Sequence, residues 1–199
     1  MTENHAPAGV PPRLPHAYRI PDPEARGEYV AWLPRCVFIE VTNRCNLTCA
    51  TCPRTFVTHE QPRDLAFDEF VTVVNQFPQM ERAVLHGIGE PLLHRQLPQM
   101  IRYLKARPVT VLLNSNGTVL TQEHQMALVE SGLDEYRLSL DGADATMYER
   151  IRGRRLFDQV VRNMREFVAT RKRLGLDTPH LSIWCMGMKE NLEPLREGR

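Results

Sequence analysis

The chain of 199 residues lacks long apolar runs and any marked excess of charge of one sign. No stretch reaches the roughly 18 apolar residues that a membrane-spanning helix needs, so we expect no membrane segment. Lys and Arg number 25 and Asp and Glu number 24, which leaves a net charge of +1. This balance gives no reason to expect nucleic acid or an anionic membrane as a partner. The first residues are polar and broken by prolines, unlike a secretory signal, so we expect a cytoplasmic protein.

Cysteine is scarce and unevenly placed. The chain has five cysteines, and three of them lie within eight residues of one another. An odd number and a tight cluster both argue against a framework of disulfide bonds, so we expect free thiols or metal ligands. Cys36 and Cys185 lie apart from the cluster in apolar runs, where we expect them to be small core residues.

Regular structure is expected only after the first 33 residues. The first 24 residues contain six of the 15 prolines, and such a density of proline prevents a packed core. We therefore assign residues 1–33 to a proline-rich leader that ends in a short helix. Residues 34–199 form the predicted domain.

Short β-branched runs alternate with helical patterns throughout this domain. The sequence predicts five strands, which lie at 36–42, 82–86, 109–113, 136–140 and 181–186. Apolar residues recur at helical spacing in four segments, which lie at 67–77, 97–104, 121–131 and 157–168. This alternation predicts an α/β protein with a parallel sheet. In such sheets ligands bind at the carboxyl ends of the strands.

The loop after the first predicted strand contains Cys45, Cys49 and Cys52. Thiolates are soft ligands that favour iron–sulfur clusters, zinc or copper(I). A structural zinc ion usually takes four ligands from two separated pairs, and here His59 could complete a set of four. Three thiolates on a four-iron cluster would instead leave one iron free to bind a substrate or cofactor. A third alternative, thiols without a metal, would be prone to oxidation and would serve no purpose.

The spacing Cys45-x₃-Cys49-x₂-Cys52 after a strand resembles the signature of the radical S-adenosylmethionine (radical SAM) enzymes. The resemblance implies a partial (β/α) barrel in which these cysteines bind a [4Fe–4S] cluster whose fourth iron binds S-adenosylmethionine. An electron from the cluster would then cleave this cofactor to methionine and a 5′-deoxyadenosyl radical, which abstracts hydrogen from a substrate. The residue before the third cysteine is usually aromatic in the family and contacts adenine, whereas here it is Thr51.

A glycine-rich loop follows the second predicted strand. Glycines let the backbone approach a ligand closely, and a carboxylate there can accept hydrogen bonds from an ammonium group. The loop resembles the family's Gly-Gly-Glu-Pro motif, which implies cofactor contacts for four residues: Gly87, Gly89, Glu90 and Pro91. The simpler alternative is a tight turn in which Glu90 caps the next helix. We expect His86, at the end of the same strand, to pack against the protein and not to bind a ligand.

The ends of the third and fourth predicted strands carry the remaining candidates. Asn116 lies in a turn that resembles the family's Thr-Asn-Gly stretch beneath the cofactor. Ser139-Leu-Asp141-Gly, with Arg152-Gly further on, resembles the branch of peptide-modifying (SPASM-type) and molybdopterin-precursor enzymes. The resemblance implies that Ser139, Asp141 and Arg152 contact the cofactor. Alternatively, Asn116 only forms a glycine turn and Asp141 caps the turn that follows it.

Together these motifs predict a radical SAM enzyme whose cofactors are a [4Fe–4S] cluster and S-adenosylmethionine. The substrate is unidentified and is a peptide, a cofactor precursor or a metabolite, and the electron comes from a reductant such as flavodoxin or ferredoxin. We predict no catalytic residue beyond the cluster. The competing hypothesis is a non-catalytic iron–sulfur or zinc module that senses redox state or binds a partner.

The length of the chain makes the predicted barrel short. Only about five of the family's six βα units fit, because a crossover unit takes roughly 30 residues or more. We therefore expect this chain to be the N-terminal part of a longer protein, and the alternative is a partner that covers the fifth strand.

Overall fold

The computed structural model of the chain describes residues 33–57 and 61–192. The predicted leader and its short helix lie outside these residues, apart from Leu33. His59, the candidate fourth ligand of a zinc ion, lies outside them as well.

One parallel sheet of five strands forms the centre of the described domain. The strands are β1 (Cys36–Ile39), β2 (Arg82–Leu85), β3 (Thr110–Ser115), β4 (Glu135–Ser139) and β5 (His180–Trp184). Each strand pairs with the next one along the chain, so every connection crosses over the sheet. The predicted α/β class and the arrangement of a partial (β/α) barrel are confirmed.

The first and last strands end earlier than the sequence predicts. β1 stops at Ile39, because the following chain turns away and Thr42 forms an isolated antiparallel bridge with Asp64. β5 stops at Trp184, two residues before the predicted end. The residues that follow both strands therefore lie in loops at the carboxyl edge of the sheet.

Helices fill the connections between the strands. They are α1 (Pro53–Phe56), α2 (Phe67–Asn75), a 3₁₀ helix (Pro91–Leu93), α3 (Leu97–Lys105), α4 (Gln122–Glu130), α5 (Ala145–Arg152) and α6 (Phe157–Arg173). Within 33–57 and 61–192, none of these helices combines the length and the apolar character that crossing a bilayer requires.

Helix α5 is absent from the sequence prediction, which has only α6 in this connection. Asp144 caps α5 by accepting a hydrogen bond of 2.8 Å from the N–H of Met147. Gly153 ends the helix in the left-handed conformation, with φ at 76°. An added Cβ at Gly153 would lie 2.7 Å from the carbonyl oxygen of Thr48. The end of α5 therefore packs directly on the cysteine loop, and only glycine fits there.

One face of the sheet packs against the helices and forms the hydrophobic core. Tyr136 of β4 and Phe167 of α6 are fully buried there. Their rings meet edge to face, with centroids 5.5 Å apart, an arrangement that adds about 0.5–1.5 kcal/mol to the gain from burial. Ile39, Leu85 and Leu113 extend the same core across the first three strands.

The opposite face of the sheet, which we call the open face, carries the alternate strand positions. Arg137 lies on it, because its neighbours Tyr136 and Leu138 point into the core. On the outer strands of this face, Phe38 is 65% exposed and Trp184 is 48% exposed. The open face is thus accessible at its outer strands, whereas Val84 and Leu112 at its centre are buried.

Candidate functional site

Three side chains fix the start of the cysteine loop. Arg44 donates two hydrogen bonds to the Asp64 carboxylate, at 2.8 and 2.6 Å, and a third to the carbonyl of Leu93 at 2.9 Å. The Thr42 hydroxyl donates to the same carboxylate at 2.7 Å. The Arg44 guanidinium beside it holds the pKa of Asp64 below its ordinary value. We call Thr42, Arg44 and Asp64 the clasp.

The three cysteines of the loop line one cavity of about 490 Å³. Cys49 is buried, and Cys45 and Cys52 are half-buried. Burial raises the pKa of the Cys45 and Cys49 thiols. Among residues 33–57 and 61–192, no three Cys, His, Asp or Glu side chains are arranged to hold a single metal ion.

Two N–H donors approach the sulfur atoms. Nη1 of Arg152 lies 3.8 Å from the Sγ of Cys49, and Nδ2 of Asn116 lies 3.9 Å from the Sγ of Cys45. Arg152 is itself held by the Asp141 carboxylate at 2.8 Å, and both side chains are at most 10% exposed. Its positive charge opposes the rise in the pKa of Cys49 that burial causes. Two of the sulfurs therefore have a partner that favours the thiolate.

The glycine-rich loop after β2 places Glu90 in the protein interior. Its carboxylate accepts hydrogen bonds from the N–H of Leu92 at 3.0 Å, the hydroxyl of Ser115 at 2.8 Å and the N–H of Asn116 at 2.7 Å. Burial raises the pKa of Glu90, and these donors oppose the rise. Glu90 thus caps the 3₁₀ helix, as the simpler alternative predicted. A carboxylate has about four acceptor positions, so one has no donor within the described part of the chain.

Asp141 links the end of β4 to the segment after β5. It adopts a left-handed conformation with φ at 62°, and its Oδ1 accepts a hydrogen bond of 2.7 Å from the N–H of Met186. Asn191 donates to its carbonyl oxygen at 2.9 Å. Asp144, and not Asp141, caps the helix that follows.

The structure brings all but one of the predicted site residues to the same cavity. Those that line it are Cys45, Cys49, Cys52, Gly87, Gly89, Glu90, Asn116, Ser139, Asp141 and Arg152. Pro91 does not line it, because it is buried as the first residue of the 3₁₀ helix.

Several residues line the cavity although the sequence did not predict them there. His86 is exposed and lines the cavity, so its expected packed position is wrong. Cys185 is exposed beyond the end of β5 and also lines it, so a core position is wrong for this cysteine. Trp184 and Met186 line the cavity as well, and the rule that ligands bind at strand ends already points to them.

The donor set of the cavity fits a thiolate-bound cluster together with a cofactor that carries an amino-acid group. Its three thiols are soft ligands. Nε of Arg152 is buried without a hydrogen-bond partner in the described part of the chain, and such a donor suits a carboxylate. The open acceptor position of Glu90 suits an ammonium group.

The fold and the cavity together define an α/β protein with a candidate thiolate-bound centre at the carboxyl ends of parallel strands. A family model described as the Radical SAM superfamily matches residues 39–197. The chain therefore belongs to the Radical SAM superfamily, whose members use a [4Fe–4S] cluster and S-adenosylmethionine. The resemblance found in the sequence is confirmed.

Relatives and solved structures agree with this assignment. The chain is 29% identical over 166 residues to the tungsten-containing aldehyde ferredoxin oxidoreductase cofactor-modifying protein of Pyrococcus furiosus, covering 81% of this chain and 46% of that protein. It is 35% identical over 137 residues to GTP 3′,8-cyclase of Chlorobaculum tepidum, covering 67% and 41%. SuiB of Streptococcus suis bound to S-adenosylmethionine has a similar fold, with a TM-score of 0.63 at 16% identity over 83% of this chain and 37% of that chain. The chain spans less than half the length of each.

Proposed function

We propose that the chain is the cofactor-binding part of a radical SAM enzyme in which Cys45, Cys49 and Cys52 ligate three irons of a [4Fe–4S] cluster. The observation that carries the proposal is the single cavity lined by these thiols and by the ends of the neighbouring strands. A cluster gives each thiolate its own iron, so the three sulfurs need not meet at one ion. When bound, the cluster supplies the electron that cleaves S-adenosylmethionine to methionine and a 5′-deoxyadenosyl radical, which takes hydrogen from a substrate.

The residues of the chain hold the two ends of the cofactor's amino-acid group. Arg152 directs its unpartnered Nε toward the carboxylate, and Asp141 positions Arg152. Glu90 accepts from the ammonium group through its open position. The backbone of Gly87 and Gly89 borders this group. Pro91 fixes the loop and does not contact the cofactor.

Two further residues, Ser139 and Asn116, complete the proposed cofactor site, and Arg152 has a second role in it. Ser139 lies at the end of β4 on the cavity wall, where its hydroxyl bonds to the cofactor. Asn116 and Arg152 donate N–H groups toward two of the sulfurs. Hydrogen bonds to the sulfur ligands of a cluster are among the factors that set its reduction potential. These two residues therefore tune the cluster as well as contact the cofactor.

The electron donor and the location are also part of the proposal. A flavodoxin or ferredoxin type of reductant supplies the electron. None of the five cysteines forms a disulfide bond, which suits the reducing cytoplasm. The substrate is a peptide, a cofactor precursor or a metabolite. The names of two relatives, a cofactor-modifying protein and a GTP cyclase, favour a small molecule.

The decisive experiment compares two cysteine variants that differ only in whether the sulfur belongs to the motif. After anaerobic reconstitution, the unaltered chain and Cys36→Ala, whose cysteine does not line the cavity, should each hold about four irons per chain. Both should also form 5′-deoxyadenosine when dithionite and S-adenosylmethionine are added. Cys49→Ala should lose the iron and this product together, because the sulfur of Cys49 is a ligand.

The same experiment can reject the proposal. Tight binding of zinc by the unaltered chain, with no 5′-deoxyadenosine, would establish the non-catalytic module. Iron retained by Cys49→Ala at the level of Cys36→Ala would show that the cysteine motif is not the site. Circular dichroism of each variant shows whether the fold is intact.

A further inference from the structure

Four side chains of β4 and β5 form a connected group on the open face, and one of them, Trp184, lines the cavity. Arg137 donates two hydrogen bonds to Glu135, at 2.8 and 3.0 Å. Ser182 donates to Glu135 at 2.9 Å, and the indole N–H of Trp184 donates to Ser182 at 3.0 Å. The guanidinium also stacks on the Trp184 ring, 4.2 Å from its centroid. We call these residues the Arg137 group.

The Arg137 group fixes an N–H donor that no other described residue uses. An arginine has five N–H donors, and Glu135 takes one on Nε and one on Nη2. No acceptor in the described part of the chain is bonded to Nη1. The side chain is only 15% exposed, and its pairing and stacking hold it in one orientation. A donor fixed before binding costs a ligand little entropy to engage.

An unused acceptor lies on the adjacent strand. Asn114 of β3 is the register partner of Arg137, so the two backbones lie about 4.8 Å apart. The Oδ1 atom of Asn114 is buried and has no donor within the described residues, and Asn114 lines the cavity. A buried acceptor without a partner costs free energy that a ligand N–H would recover.

The charges of this face decide which kind of ligand fits. Glu135 compensates the charge of Arg137 through two hydrogen bonds, and its carboxylate stays on the same face of the sheet. A ligand carboxylate would therefore meet the Glu135 carboxylate and one arginine whose charge is already paired. An uncharged carbonyl oxygen can bond to Nη1 without this repulsion.

We propose that Arg137, Asn114 and Trp184 form a substrate subsite for a primary carboxamide. The carbonyl oxygen accepts from Nη1 of Arg137, the N–H on the same edge donates to Oδ1 of Asn114, and the indole packs against the adjoining apolar part. This inference rests on the proposed function, because it places the substrate beside the S-adenosylmethionine cavity.

Trp184 can report on this subsite directly. The chain has two tryptophans, so a Trp32→Phe background leaves Trp184 as the one fluorophore of its kind. The reconstituted full chain is titrated with N-acetyl-leucinamide, and then with N-acetyl-leucine and with the N-methylamide. The first probe offers a carboxamide, the second a carboxylate, and the third lacks the N–H on the carbonyl edge.

The expected result is saturable quenching by N-acetyl-leucinamide, with the other two probes binding about tenfold more weakly. Arg137→Gln and Asn114→Ala should each weaken the carboxamide by a similar factor. The control is Arg107→Gln, which should leave the affinity for all three probes unchanged. Arg107 stacks on Tyr103, 5.0 Å from the centroid of its ring, far from the cavity. Two variants on different strands keep the test valid if one of them does not fold.

Equal binding of the three probes, tighter binding of the carboxylate, or no saturable quenching would each overturn the subsite. The titration does not depend on turnover. Failure of the proposed function would appear separately, as an unaltered chain that forms no 5′-deoxyadenosine.

Discussion

Gly89 shows how closely the glycine-rich loop packs on the cysteine loop. A Cβ at this position would lie 1.9 Å from the carbonyl oxygen of Thr42 and 2.9 Å from that of Arg44. The N–H of Glu90 donates to the same Arg44 carbonyl at 2.7 Å. Backbone therefore faces backbone, and no flexible side chain can move aside. The glycine is needed for packing within the chain, in addition to any approach to a ligand.

Gly89→Ala should push the two loops apart. We expect the free energy of unfolding to fall by about 1–3 kcal/mol, as for other overpacked sites, and the iron content after reconstitution to fall with it. Urea unfolding and iron analysis test both effects. Gly187→Ala is the matched control, because the nearest atom to its added Cβ is a side-chain carbon of Leu192 at 3.9 Å. Equal stability and iron content in the two variants would contradict this account.

Glu90 illustrates why one motif supports two interpretations. The sequence predicts either a cofactor ligand or a helix cap, and the buried carboxylate already makes three hydrogen bonds within the chain. A cap and a ligand for an ammonium group use different acceptor positions of the same carboxylate. The cap holds the Glu90 side chain in place, and the proposed binding of an ammonium group uses the acceptor position that the cap leaves free.

At the scale of elements, local patterns predicted most of the fold. The five strands and the helices α2, α3, α4 and α6 follow from apolar periodicity, because one face of each is buried in the core. Helix α5 and the end of β1 could not be predicted in this way. The first depends on the contact of Gly153 with Thr48, and the second on the bridge between Thr42 and Asp64. Both contacts join residues far apart in the sequence.

The clasp gives the cysteine loop a stability that depends on pH. Because Arg44 lowers the pKa of Asp64 below its ordinary value of 3.8, the folded state prefers the ionised carboxylate. The contribution of the Arg44–Asp64 pair to the free energy of unfolding is therefore fully present above pH 3.8. It is lost as the pH falls through the lower pKa that Asp64 has in the folded state. The Arg44 and Asp64 side chains are 41% and 36% exposed, so solvent screening limits the contribution to about 1 kcal/mol.

Asp64→Asn should accordingly lower the free energy of unfolding near pH 7 by about 1 kcal/mol. The difference from the unaltered chain should shrink below pH 3.8, where Asp64 of the unfolded chain is protonated. Urea unfolding between pH 3 and 7 measures this. Asp177→Asn, at an exposed position before β5, should show no such difference. A gap between Asp64→Asn and the unaltered chain that stays constant down to pH 3 would exclude the clasp as its cause.

At the scale of the whole domain, the residues that stabilise the fold and the residues of the candidate site lie at different places on the parallel sheet. The core lies on one face, whereas the cavity lies at the carboxyl ends of the strands. This rule of parallel sheets allowed the cysteines, the glycine-rich loop, Ser139 and Asp141 to be predicted as neighbours from sequence alone. The Arg137 group was not predicted, because its pairing depends on the register between β4 and β5. Register cannot be read from either strand alone.

This separation predicts how the domain responds when iron is removed. The cysteine loop packs on Gly89 and on the end of α5, but its sulfurs belong to the cavity and not to the core. A cluster that binds only the folded loop stabilises that loop by mass action.

Chelation of the iron should therefore speed amide hydrogen exchange of residues 43–57 by about tenfold or more. Strand β3, with Val111 and Leu113 fully buried, should keep its protection. Mass spectrometry of peptides from the cysteine loop and from β3 measures the two exchange rates separately. Cys49→Ala treated with the same chelator gives the exchange rates of a chain that has no cluster to lose. If β3 lost protection together with the loop, the cluster would be a support of the whole fold, and the core on the other face of the sheet would not be sufficient to hold the domain.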